Sequence, residues 1–296
     1  MCVSVRKGVE AQFANTVLYG AEIAGPPLVH VLGYQNKVGN GGQSAPNAML
    51  LPFPAVPASM GPSDVLDTSS CPRVLEDIAK AVMPPPAAFL TRSRSRGAPP
   101  TAPVQIFDTG IYTVVLAHSA TLIPDALEQV AVDRRPPPNP ALFEAYARWY
   151  PDWTMALCCF NNAHAALATP MVWKYQPSQP EHLFLPTLDC HTGDVPDLQA
   201  GVRPDHTIAV GSNIRPDRIC GLWPLPLDTY LPDSQAPITG AVDYKDPIPQ
   251  SLRPYFLRRV SGRSYRLPMP NGDFYFRVED LRRGSYAPIR RLPPGA

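Results

Sequence analysis

Cys2 carries a thiol on the residue that becomes the N-terminus once Met1 is removed, and a small second side chain permits that removal. Its α-amino group, of ordinary pKa ~7.7–8.0, then sits beside a thiol of ~8.5. One residue holds both nucleophile and base, an arrangement suited to attack on an amide carbonyl. Asn36 and Asn47, in turn-rich context near strand ends, are the candidate donors for the oxyanion. The competing reading makes Cys2 a small buried hydrophobe, as free cysteines often are. A second constellation is the run Asp189-Cys190-His191-Thr192-Gly193-Asp194, with Asp205 and His206 downstream. Sulfur, nitrogen and oxygen donors together could suit zinc, but the spacing follows no Cys-x-x-Cys or His-x-x-x-His pattern. Neighbours on an extended chain point to opposite faces, whereas Asp189 and His191 share one. The carboxylate can then orient the imidazole as a general base. The same stretch also reads as a polar turn with Thr192-Gly193-Asp194 at its tip.

Other cysteines and motifs add little chemistry. Cys158 and Cys159, followed by His164, fit a buried core strand better than a redox or metal site. No phosphate-cradling Gly-x-x-x-x-Gly-Lys loop, dinucleotide Gly-x-Gly-x-x-Gly fingerprint or Gly-x-Ser-x-Gly elbow occurs, so neither cofactor nor metal is expected. From Leu252 to Arg291 ten arginines interleave with Tyr255, Tyr265, Phe274, Tyr275 and Phe276. Arginine forks and aromatic rings could hold phosphates and bases, but they are equally enriched at protein interfaces, and no RNA-binding motif accompanies them.

Composition narrows the class further. Proline contributes 39 of 296 residues while charged residues are only 17%, so long helices must be few and loops stiff. The net charge of +1 gives no global attraction to nucleic acid or membranes. Six dispersed cysteines form no disulfide framework, and residues 2–20 resemble neither a signal peptide nor a span. A reducing, cytoplasmic setting is the expectation.

These chemical groups need elements to hold them. Val3–Val5, Thr16–Ile23 and Leu28–Tyr34 read as strands, the last two around Gly25-Pro26-Pro27, and Asn47–Pro54 as a further strand continuing the meander. Residues 71–83, Ile123–Val132 and Pro140–Trp149 read as helices. Thr91–Gly97, without an apolar side chain, reads as an exposed loop. Val104–Phe107 and Ile111–Leu116 make a strand pair. Trp153–Phe160 reads as a central strand partnered by Pro170–Tyr175 and His182–Leu185, and Thr207–Val210, Arg218–Leu222 and Asp273–Val278 as further strands. The fold class expected is α+β: mostly antiparallel sheets with two or three short helices. A body over 1–222 is followed by a proline- and arginine-rich C-terminal extension, 223–296.

Two resemblances bear on function. Met1-Cys2 leading through strand-like residues to Leu18-Tyr19-Gly20 resembles the opening of cysteine-type N-terminal-nucleophile hydrolases, the class of bile-salt and penicillin acylases. That likeness implies Cys2 as nucleophile, although Gly20-Ala21-Glu22 stands where those enzymes carry an Arg- and Asp-bearing turn. The order of a strand, Tyr34-Gln35-Asn36, Leu50-Leu51-Pro52-Phe53-Pro54 and a Pro72-led helix is similar to uncharacterised bacterial β-rich proteins. It implies a fold and no mechanism. Two functions follow as expectations: a thiol-dependent amide hydrolase, or a non-catalytic binding or assembly protein. In the second, the C-terminal arm docks on a protein partner or a sister subunit.

Overall fold

In the computed structural model, the described residues are 5, 13–38, 45–83, 103–214 and 237–296. In chain order the first elements are β1 (Phe13–Ile23), β2 (Val29–Val38), β3 (Pro46–Phe53), β4 (Val65–Leu66) and helix α1 (Val74–Ala81). Then come β5 (Val104–Thr109), β6 (Tyr112–Ala117), α2 (Ile123–Ala126), α3 (Pro140–Trp149), β7 (Thr154–Asn161), β8 (Met171–Tyr175) and β9 (His182–Leu185). The last third holds β10 (Gly201–Val202), β11 (His206–Ser212), β12 (Ile238–Ala241), β13 (Arg259–Tyr265) and β14 (Met269–Pro270). It ends with β15 (Asp273–Arg277), α4 (Val278–Arg282) and β16 (Pro288–Arg291). The protein is therefore β-rich, with short helices, as its proline content requires.

A seven-stranded sheet runs β12-β13-β11-β1-β2-β8-β4, a four-stranded sheet β3-β7-β6-β5, and a three-stranded sheet β16-β15-β9. Every pairing in these sheets is antiparallel except β1 with β11, which run parallel from Thr16 opposite His206 to Glu22 opposite Ser212. From Thr16 to Ile23 β1 is buried on both sides, which suits its apolar run Val17–Ala21. Leu18 joins the core shared with the four- and three-stranded sheets, while Val17, Tyr19, Ala21 and Ile23 face α1 and the 242–257 segment. Val74, Leu75 and Ile78 form the apolar stripe that α1 lays on that outer face.

The β1–β2 hairpin forms as expected around Gly25-Pro26-Pro27. Two sequence expectations are corrected. β3 does not extend that meander but joins the other sheet, opposite β7, with Asn47 against Phe160 and Phe53 against Thr154. β7 is internal to its sheet, but its neighbours are β3 and β6; β8 pairs with β2 and β4, and β9 with β15. Proximity in sequence favoured the wrong partners because β7, β8 and β9 are all apolar on both faces, and alternation cannot rank such strands. The 123–132 helix is shorter than expected, a single α turn between 3-10 turns, with Pro124 near its start. The Val3–Val5 run, apart from Val5, and the Thr91–Gly97 and Arg218–Leu222 stretches lie outside the described residues.

The described part of the C-terminal extension hydrogen-bonds into the body's own sheets. β13 lies between β11 and β12, and β15 lies between β9 and β16. Salt and hydrogen bonds complete the attachment: Arg73 clasps Asp246 at 2.7 Å, and Asp77 accepts the Lys245 amide at 2.8 Å.

Gly20 allows the three-stranded sheet to approach β1, because a Cβ there would stand 2.8 Å from Leu183 Cδ2. At Gly201 nothing lies within 4 Å of such a Cβ. Gly20→Ala is therefore expected to lower the urea-unfolding free energy by about 1–3 kcal/mol through overpacking, and Gly201→Ala to change it by less than about 0.5 kcal/mol.

Candidate functional site

The 187–194 segment, the C-terminal strand β15 and the end of α3 meet around one buried carboxylate. Asp273, at the start of β15, is fully buried. Its Oδ1 accepts the Thr187 amide at 2.8 Å and the Leu188 amide at 3.3 Å, and its Oδ2 accepts the Tyr150 hydroxyl at 2.5 Å. Burial pushes its carboxyl up to about 6, against the pull of these donors and of Arg290. Arg290 itself is lowered to about 10 by burial; its Nη1 donates to Thr187 Oγ1 and its Nε to the Pro270 carbonyl.

Beside this node Asn271 fixes the backbone of the candidate site. Its Nδ2 donates to the Asp189 and Asp197 carbonyls, both at 3.1 Å, and its Oδ1 accepts the Asp189 amide at 3.0 Å. With Asp189 held, its carboxylate meets His191 Nε2 at 3.0 Å, and both side chains keep partial access to solvent. The expected Asp189–His191 pair thus forms. Cys190 points elsewhere: its sulfur lies 3.4 Å from Thr192 Oγ1 and from the Asp194 carbonyl. Thr192 and Asp194 close the polar turn expected there, with Thr192 donating to Asp194 Oδ2 at 2.8 Å.

The rest of that constellation disperses. Asp205 accepts the Asn15 amide at 2.6 Å and pairs with Arg266, securing the start of β1. His206 is buried in β11 opposite Tyr265. Neither makes a described contact with Asp189 or His191, because the chain turns at Asp205 into the parallel ladder with β1.

Cys2 lies outside the described residues; Val5, three positions on, does not. The Val5 amide donates to the Ala48 carbonyl of β3 at 3.2 Å. The Val5 carbonyl accepts Asn139 Nδ2 at 3.0 Å, and that same nitrogen donates to the Gly193 carbonyl at 2.6 Å. Asn139 stands between Pro138 and Pro140 at the N-terminal cap of α3. It seats Val5 between Asn47's strand and the turn that carries His191. Asn47 is buried, its Oδ1 taken by the Ala48 amide at 2.8 Å. Asn36 is half-buried on β2, donating to Tyr34 Oη at 2.9 Å and touching Met49 Sδ at 3.9 Å. Met49 shares a face of β3 with Asn47, so both candidate amides belong to one end of the space between the sheets.

Asn139, Asn271, Asp273 and Arg290 were not picked out by sequence reasoning. An Asn between prolines at a helix start and the Asn271-Gly272-Asp273 turn were the available signals. Three of the described thiols, Cys71, Cys158 and Cys159, are buried and unsuited to chemistry. Burial raises Cys71 and Cys159 to about 12 and drives Cys158 well above its usual range. Part of the C-terminal arginine–aromatic interleaving packs within the chain: Arg263 lies over Tyr265, Arg290 over Phe274, and the Tyr265 and Phe274 rings meet at a tilt with centroids 4.9 Å apart. Among the described residues no cluster of three or more His, Cys, Asp or Glu could hold a metal ion, and no helix is long and apolar enough to cross a membrane.

No family model matches the sequence, and no curated protein does. Among solved structures, baculovirus P35 aligns over 95% of this chain and 92% of that one, at 13% identity and a TM-score of 0.43. A mutated baculovirus P35 after caspase cleavage aligns over 90% and 92%, at 11% and 0.41. The caspase-8/P35 complex aligns over 90% and 89%, at 12% and 0.40. Likenesses at this level assign neither fold nor function to the chain.

The raised Asp273 carboxyl carries a pH signature. From pH 3.8 to about 6 the folded state holds a proton that the unfolded state has released, so stability falls as pH rises through that window. His30 has the opposite sign, being lowered from 6.5 to about 4 by burial and by Arg282, so its contribution rises with pH. Comparison of wild type with Asp273→Asn cancels His30. Urea unfolding across this window is expected to show wild type losing on the order of 1–3 kcal/mol relative to the variant.

Proposed function

We propose that the protein is a thiol-dependent amide hydrolase in which Cys2, as the N-terminal residue, is the nucleophile and His191, oriented by Asp189, manages the proton. The observation that supports this reading is the Asn139 clamp, which holds Val5 beside Gly193 and against Ala48. Three residues reach at most about 11 Å, so Cys2 is within chain reach of the His191 turn and of Asn47. The thiolate would add to the carbonyl carbon, and the C–N bond would break as the amine takes a proton from the imidazolium. Water would then split the thioester. Asn47 and Asn36 are the amides available to the oxyanion.

Mass spectrometry should find Met1 absent, and iodoacetamide should label Cys2 well before the buried Cys71, Cys158 and Cys159. On a panel of N-acyl anilides Cys2→Ala should abolish turnover, and His191→Gln should reduce it by about 10²–10⁴-fold. Retention of Met1, or turnover surviving Cys2→Ala, removes the proposal.

A binding role is favoured by a different observation. Val132 and Leu167, 77% and 72% exposed, are the most exposed large aliphatic residues described. Their loops are tied together by Asn161, whose Nδ2 donates to the Asp133 carbonyl at 2.8 Å while its Oδ1 caps the 162–167 turn. Apolar side chains held on rigid loops suit a protein surface. On this reading, light scattering at rising concentration shows self-association that Val132→Asp with Leu167→Asp abolishes; a wild-type monomer throughout excludes a sister subunit as the occupant.

A further inference from the structure

One end of the seven-stranded sheet's inner face carries a row of largely buried polar side chains. Ser212, Glu22, His30 and Tyr175 are register partners on β11, β1, β2 and β8, so their side chains lie side by side on one face. The Glu22 half of the row is complete. Its carboxylate is fully buried and receives Arg282 Nε at 3.0 Å, Arg282 Nη2 at 2.5 Å and Ser212 Oγ at 2.7 Å. The other half is not complete. His30 is 0% exposed, and among the described residues neither of its ring nitrogens has a hydrogen-bond partner, nor has the buried Tyr175 hydroxyl. The two rings meet edge to face with centroids 5.8 Å apart, a packing contact rather than a hydrogen bond. Phe53 closes the far side, its ring 5.6 Å from that of Tyr175.

A neutral imidazole has one donor and one acceptor nitrogen, and a phenol offers one donor and lone pairs. Leaving all of them unmet in a sealed core is costly, and native proteins meet such groups with ordered water. A metal would need more ligands than one histidine and one tyrosine, and the guanidinium described beside the row, Arg282, is committed to Glu22 rather than to an anion. We infer that His30 and Tyr175 form a binding site for internal water, one or two molecules that accept from one ring and donate to the other. The site continues the Ser212–Glu22–Arg282 network across the sheet, so that four strands and α4 share one hydrated polar seam.

A high-resolution crystal structure of the full chain tests this directly. Density for water within about 2.7–3.2 Å of a His30 nitrogen and of Tyr175 Oη is expected. In Tyr175→Phe, which keeps the ring and its packing, that water should be lost or should shift toward His30, with a change in the His30 ring nitrogen shifts by NMR. Two findings in the wild-type map overturn the inference: His30 and Tyr175 polar atoms met only by carbon, or a direct bond between them. An unmoved water in Tyr175→Phe overturns it as well. The wild-type map decides the matter even if the variant does not fold.

Discussion

Removing a carboxylate from water costs several kcal/mol unless its lone pairs are met inside the protein, and the Asp273 side chain shows what that demand organises. Its acceptors are filled by two backbone amides of the 187–188 turn and by the hydroxyl of Tyr150 at the end of α3. Three stretches distant in sequence must come together for that carboxylate to be buried at all. Once they do, β15 is in place against β9, Asn271 lies beside Asp189, and the His191 turn has a fixed backbone. The candidate chemistry depends on a group that does none of it.

The same accounting runs through the molecule. With few charged residues, the protein still places several of them inside and meets Glu22, Asp246 and Asp77 with a cation. Glu22 takes Arg282, Asp246 takes Arg73, and Asp77 takes Lys80 and the Lys245 amide. Each pair joins sequence-distant elements except Lys80, one helical turn from its partner. Such pairs add little net stability over apolar contacts of similar shape, but breaking one strands a buried charge. They therefore specify arrangement. Here they determine that residues 243–246 lie on α1 and that α4 lies under the first hairpin.

Much of the architecture was legible in local pattern. Proline punctuation and apolar spacing mark α3 and the β5–β6 pair to within a residue or two of their observed bounds, and the first hairpin at its turn, although both of its strands run three or four residues farther at their outer ends. What could not be read was which strand sits beside which. β7, β8 and β9 are buried on both faces and lack the alternation that would fix a face and a neighbour. At the site, Asp189 and His191 could be paired because the spacing alone puts them on one side of an extended chain. Asp205 and His206 looked equivalent in sequence, but their fate was set by the β1–β11 ladder, a contact about 190 residues long in sequence. Asn139 and Asn271 act through backbone carbonyls of remote loops, and nothing local in the sequence encodes that.

The parallel ladder between β1 and β11 has a consequence for how the chain is made. The first strand leaves the ribosome with one neighbour soon available, since β2 follows at once, whereas its other edge waits until residue 212 has been synthesised. For most of translation the hairpin presents an unpaired, apolar edge, the kind of surface that templates non-native association. Such late, long-range closure slows folding. Expression yield and dependence on chaperones should therefore respond more to substitutions on the open edge of β1 than to changes of equal size in α3 or the β5–β6 hairpin, whose contacts close early.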